Sequence, residues 1–105
     1  MPSAKRGDVW LVDLGMAAKV RPCLVLSVPI HDEDRALVTL VPCTTAVRGS
    51  RFEVAIDAKF LRPGAFDAQN LVTIPHSKLV RRLGSLTDEQ LQLVETSVRN
   101  WLGLS

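Results

Sequence analysis

The chain has 105 residues, of which 47% are hydrophobic and 23% charged, and a formal net charge of +2. This balance suits one globular core and is wrong for a disordered chain. No apolar run is long enough to span a bilayer as a helix. The basic start at Lys5 and Arg6 has no apolar segment behind it, unlike a secretory signal, so a cytoplasmic protein is expected. A slightly basic surface permits a nucleic-acid partner without requiring one. One domain over residues 1–105 leaves little volume for an enclosed pocket, so a site should be a surface groove or lie between two copies.

In chain order, Asp8–Leu14 reads as a first strand. Gly15–Val20 is a short loop carrying one cation, Lys19. Arg21 and Pro22 open a second strand, Cys23–Val28, where proline is tolerated and holds Arg21 extended. Pro29–Arg35 is a hydrophilic turn with three consecutive acids, Asp32, Glu33 and Asp34. Ala36–Thr45 is β-branched and aliphatic, and turns polar after Pro42. Proline cannot donate to a sheet ladder, so this strand should end at an edge, a bulge or a rim. It delivers Thr44 and Thr45 there, with Arg48 just beyond. Arg51–Ile56 alternates strictly, with Phe52, Val54 and Ile56 on one face, and the pattern predicts a hairpin over residues 36–56.

Asp57–Pro63 is expected to be a loop or helical turn, broken by Pro63 and Gly64. Ala65–Ile74 reads as a strand, Pro75–Leu79 as a single helical turn, and Val80–Leu86 as a short last strand. Thr87 and Gln90 form a capping box that starts a helix, with Asp88 and Glu89 at the positive end of its dipole. Leu91, Val94, Val98, Trp101 and Leu102 recur on one helical face, and Gly103 can close the helix. The expected class is α+β, mainly β: a small SH3-like barrel of about six short antiparallel strands with a C-terminal helix.

Each chemical candidate also has a plain structural reading. Arg21 is either a solvated strand-end arginine or a phosphate anchor, since a guanidinium grips two phosphate oxygens and can offset charge building on a phosphorane. Thr44 and Thr45 are either β-formers or phosphate donors, and alternation should let only one of them join a given site. His31 and His76 are expected in solvated turns, without a second group to make either catalytic. Asp32–Asp34 diverge too much for a cation loop, and Cys23 and Cys43 are expected to be reduced, buried and inert. Asp67, Gln69 and Asn70 are edge residues of a strand or hydrogen-bond partners for unpaired bases. Arg81 and Arg82 add cations that a strand cannot point the same way, and Trp101 is expected in the core or a dimer face. No metal-binding motif or glycine-rich phosphate loop is present in the sequence.

Gly7–Asp13, Arg21 and Pro22 leading into Leu24–Ser27, Val41–Thr45, Phe52–Val54, and the tail from Leu83–Leu91 to Leu102–Leu104 together resemble the MazF/PemK family, over nearly the whole length from Arg6 to Leu104. That resemblance implies the toxin of a type II toxin–antitoxin pair. It implies a homodimer that cuts single-stranded RNA sequence-specifically, without a metal or other cofactor. The 2′-OH would attack the adjacent phosphate, leaving 2′,3′-cyclic phosphate and 5′-OH ends. Arg21 and Thr44 match the family's catalytic positions. Lys19, Thr45, Arg48, Gln69 and Asn70 are the expected substrate contacts, and a cognate antitoxin the expected protein partner. Two departures stand out: Gly15–Val20 lacks the acid that many relatives carry before Arg-Pro, and Gln69–Val72 lacks an arginine that relatives have there. Two non-catalytic alternatives remain. One is a gyrase-poison-like grip through Trp101–Leu104; the other is a dimer that only binds an antitoxin.

Overall fold

The computed structural model describes residues 4–15 and 19–104; the expectations placed on residues 1–3 and on the middle of the first loop, 16–18, lie outside them. The described residues form seven strands: β1 (Asp8–Asp13), β2 (Val20–Val25), β3 (Leu37–Thr44), β4 (Glu53–Val54), β5 (Ala65–Asp67), β6 (Val72–Pro75) and β7 (Leu79–Ser85). One helix, α1 (Asp88–Leu102), follows. All pairings are antiparallel, in the order β4-β5-β3-β2-β1-β7 with β6 added beside β3. The outer strands β4 and β7 do not pair with each other, so the sheet is open and the expected barrel is not closed.

Alternation sorts the apolar residues into two layers. Val9, Leu24, Val41 and Phe66 pack with Val94 and Val98 of α1. Trp10, Val12, Cys23, Val25, Val38 and Leu40 point to the opposite face and pack with Leu79. Both faces of β1, β2 and β3 are therefore covered, which explains why their sequences read as near-continuous apolar runs. The helix starts on its capping box, with Thr87 accepting from Gln90 N–H and Gln90 answering at Thr87 N–H, and ends on a left-handed Gly103 (φ 71°). Its expected apolar face is only partly used: Val94 and Val98 are buried, whereas Trp101 and Leu102 are 43% and 51% exposed. Among the described residues no helix is long and apolar enough to cross a membrane.

The predicted hairpin over residues 36–56 does not form. β4 is two residues long and pairs with β5, not with β3. The cause is local: the Glu53 carboxylate accepts from the backbone N–H groups of Arg48 and Ser50, and Phe52 N–H donates to Ser50 Oγ. These bonds fold the chain into a tight turn before it can run back along β3. The edge of β3 is taken instead by β5 and β6.

The strand expected over 65–74 is interrupted by a 3₁₀ turn, Ala68–Asn70, capped by Asp67 through Gln69 N–H. The two halves continue along β3 as one partner, but their register differs by three residues, the length of that turn: Thr44 faces Ala65, whereas Leu40 faces Val72. Pro42 sits in the gap between these two pairings, where its missing N–H does least harm to the ladder. The helical turn after Pro75 forms as a 3₁₀ turn, His76–Lys78. His76 is 7% exposed there, contrary to the expected solvated histidine, because the turn tucks it inward. Its Nδ1 and the Trp10 Nε1 have no hydrogen-bond partner among the described residues.

Candidate active site

The central feature is a junction at the end of β3. The β2–β3 register pairs Cys23 with Pro42; two residues beyond each of these come Arg21 and Thr44, which border the same cavities. The registered β2–β3 pairs run from Val25 to Cys23, and Arg21 and Pro22 are held by β1 through Val12 and Leu11. Thr44 is fixed by β5 on the other side. Its Oγ1 accepts from Ala46 N–H at 3.0 Å, so the hydroxyl hydrogen remains to donate outward.

Two surface cavities meet at this pair. The first, of about 540 Å³, is lined by Arg21, Thr44, Thr45, Cys43, Arg62 and Arg81 with apolar walls that include Leu11, Phe60 and Leu83. The second, of about 520 Å³, is lined by Arg21, Thr44, Arg48, Glu53, Asp67, Gln69, Asn70 and Trp101. Arg21 and Thr44 line both. Six of the seven residues expected from the sequence are thus brought together: Arg21, Thr44, Thr45, Arg48, Gln69 and Asn70. Lys19 is not: it is exposed, in a left-handed conformation (φ 54°) at the entry to β2, and lines neither cavity. Thr45 joins the first cavity beside Thr44, against the expectation from alternation, because β3 ends at Thr44 and alternation no longer applies beyond it.

The electrostatics are uneven. Backbone N–H groups of Arg48 and Ser50 hold the Glu53 carboxyl below its ordinary value, outweighing its partial burial. Asp67 uses Oδ1 to cap Gln69. Burial and the nearby Cys43 push the Cys23 thiol up to about 12, against an opposing pull from Arg21; burial also raises Cys43. Both cysteines are free, and Cys23 packs into one apolar layer while Cys43 packs against the other, so no disulfide links them. His31 is exposed, 3.6 Å from Glu33, and no group of three or more potential metal ligands occurs among the described residues.

Residues 5–102 match the family of PemK-like, MazF-like toxins of type II toxin–antitoxin systems. The chain belongs to that family. A probable endoribonuclease, MazF5 of Mycobacterium tuberculosis, is 33% identical over 98 residues, covering 89% of this chain and 87% of the relative. A solved mycobacterial endoribonuclease in complex with its cognate antitoxin superposes with a TM-score of 0.81 at 28% identity, covering 100% of this chain and 98% of the other. The Mycobacterium tuberculosis toxin MazF-mt6 gives 0.80 at 30% identity, over 93% and 98% of the two chains.

Within this MazF/PemK chain, sequence reasoning missed three things about the site. Arg62 lies in a loop without periodicity, so nothing in the sequence pointed it inward. Alternation sets Arg81 and Arg82 on opposite faces without saying which meets the site: Arg82 pairs with Asp8 (3.4 Å) and donates to Ser85, and Arg81 lines the cavity. Gly64 was read as a chain breaker only. A Cβ there would lie 2.3 Å from Thr44 O and 3.1 Å from Thr44 C, so its bareness lets β5 close against the strand end that carries Thr44.

Proposed function

We propose that this chain is an endoribonuclease toxin that cuts single-stranded RNA at the Arg21–Thr44 junction, in the cytoplasm where mRNA is translated. The observation that carries the reading is that Arg21 at the start of β2 and Thr44 at the end of β3 border both cavities. A strand lying through them would present a phosphate to the pair. The ribose 2′-OH attacks that phosphorus; the Arg21 guanidinium and the Thr44 hydroxyl hydrogen-bond the non-bridging oxygens as negative charge grows on them. The P–O5′ bond then breaks, leaving a 2′,3′-cyclic phosphate and a 5′-oxygen that takes a proton from water.

A base must accept the 2′-OH proton, and the first loop offers no acid. Asp13 is occupied with Gly15 N–H and lines neither cavity. Glu53 spends both oxygens on its turn. Asp67 borders the second cavity and has an oxygen, Oδ2, uncommitted among the described residues; we assign it this role. Gln69 and Asn70, displaced from the ladder by the 3₁₀ turn, supply donors and acceptors to base edges beside it.

The test is cleavage of single-stranded RNA in EDTA. Arg21→Ala and Thr44→Val should each lose about 10²–10³-fold in kcat while the folded spectrum is unchanged. Asp67→Asn, which preserves the cap on Gln69, should lower kcat while the fold is unchanged. Wild-type rates in both Arg21→Ala and Thr44→Val would overturn the assignment of the pair. A relative has been solved with its cognate antitoxin; by the same reading an antitoxin segment binds this chain and displaces RNA from the groove. The exposed Val20, Val80, Leu93, Leu102 and Leu104 supply apolar surface for a homodimer, which sedimentation would detect.

A further inference from the structure

The two cavities differ in charge. The second contains two cations, Arg21 and Arg48, balanced by two carboxylates, Glu53 and Asp67. Among the described residues the first is lined by three cations, Arg21, Arg62 and Arg81, and no carboxylate. Neither Arg62 nor Arg81 is ion-paired among the described residues, whereas Arg82, the neighbour of Arg81, is neutralised by Asp8 on the other side of β7. Arg81 faces Leu11 across the β1–β7 pairing, and both residues line the cavity. Arg62 comes from the β4–β5 loop; its neighbour Phe60 is seated where a Cβ on Gly84 of β7 would fall 2.5 Å from the ring. Two elements distant in sequence therefore place unpaired guanidinium groups around one apolar-walled space beside the reacting pair. Guanidinium groups left unpaired at the rim of a groove are suited to phosphate.

We propose that the first cavity is a phosphate subsite, in which Arg62 and Arg81 hold a phosphodiester flanking the scissile one, while the charge-balanced second cavity takes the base. The inference rests on the reading of Arg21 and Thr44 as the reacting pair. It divides the groove into an anchoring side that is indifferent to sequence and a reading side. The single strand accordingly has one polarity across the junction, and the two arginines act on binding rather than on the chemical step.

The experiment uses a single-stranded RNA carrying a site mapped with the wild-type protein, made uncleavable by a 2′-deoxy substitution at the attacking ribose. Its affinity is measured by fluorescence anisotropy across a salt series for wild type, Arg62→Ala, Arg81→Ala and the double variant, with Arg35→Ala as a surface control. Each cavity variant should weaken binding several-fold and reduce the slope of log K against log salt by about 0.7, the value for one phosphate contact on a single strand. Lys substitutions should retain the slope. On cleavable RNA, KM should rise with kcat nearly unchanged. Replacing the phosphates on one side of the scissile bond with neutral methylphosphonates should remove the effect of both variants, and replacing those on the other side should not. A double variant with wild-type affinity and slope, or one whose loss persists on both methylphosphonate substrates, overturns the phosphate subsite alone, provided Arg21→Ala is inactive. Normal cutting by Arg21→Ala and Thr44→Val overturns the reading of the pair, and this inference with it.

Discussion

Gly64→Ala tests whether the position of Thr44 depends on how closely β5 can approach it. Gly64 is not among the glycines with positive φ, so alanine can adopt its backbone angles and the effect is purely one of space. The added Cβ would lie 2.3 Å from Thr44 O. A tolerable carbon–oxygen contact is about 3.3 Å, so the backbone must open by about 1 Å. The obstructing atoms are backbone, which cannot rotate away as a side chain could. Overpacking of this kind costs about 1–3 kcal/mol, and each kcal/mol lowers Tm by about 4–8 °C in a domain of this size. A displacement of about 1 Å at a reacting group costs on the order of 10²-fold in rate. The variant should therefore melt lower and yet remain folded at 25 °C, with kcat on single-stranded RNA falling about 10²-fold and KM changing little. Calorimetry and single-turnover cleavage together make the measurement. A Gly64→Ala protein that cuts at the wild-type rate would refute the argument, whatever its Tm, because it would show that Thr44 need not be where β5 holds it.

Two further outcomes follow from titrating groups. Burial tends to raise the pKa of Asp8, but hydrogen bonds from Ser85 and Lys5 N–H and the charge of Arg82 outweigh it, so the carboxyl is held below its ordinary value of 3.8. A depressed folded-state pKa adds stability above the unfolded pKa, and that stability is lost as pH falls through the folded value. Asp8→Asn should cost about 1–3 kcal/mol in urea unfolding at pH 7, and its gap from wild type should shrink towards pH 3; a gap independent of pH would refute this account. With both thiols raised by burial, neither cysteine should be a thiolate at neutral pH. Iodoacetamide at pH 8 should label native Cys43 slowly and Cys23 only after unfolding, as read by mass spectrometry; fast native labelling of Cys23 would contradict its burial.

Much of this protein was legible in its sequence because the relevant information is local. The helix from Asp88 declares itself through Thr87, Gln90 and Gly103, all of which act within a turn of their own positions. β1, β2 and β3 are apolar runs that tolerate no other reading, and Pro22 and Pro42 lie where the registered pairs between β2 and β3 end. Arg21 and Thr44 were singled out by the family resemblance, and in the fold both line the same two cavities. The reading failed once over a short-range side-chain contact and once over a distant partner strand. Residues 51–56 alternate well enough for a strand, but two backbone N–H groups captured by Glu53 turned the chain towards β5. Residues 65–74 were read as continuous because a three-residue shift in register is invisible until β3 lies alongside.

The sequence by itself determined most of the elements, the capped helix and the family, since these depend on side-chain chemistry and neighbours a few residues away. Only the tertiary structure decided that the sheet stays open, that Lys19 stands outside the site, and that Arg62 and Arg81 stand inside it. It alone decided that Gly64 must be bare. The reason is geometric: which loop meets which strand end, and which of two adjacent arginines finds a carboxylate, depends on distances between residues far apart in the chain. No periodicity or composition encodes those distances.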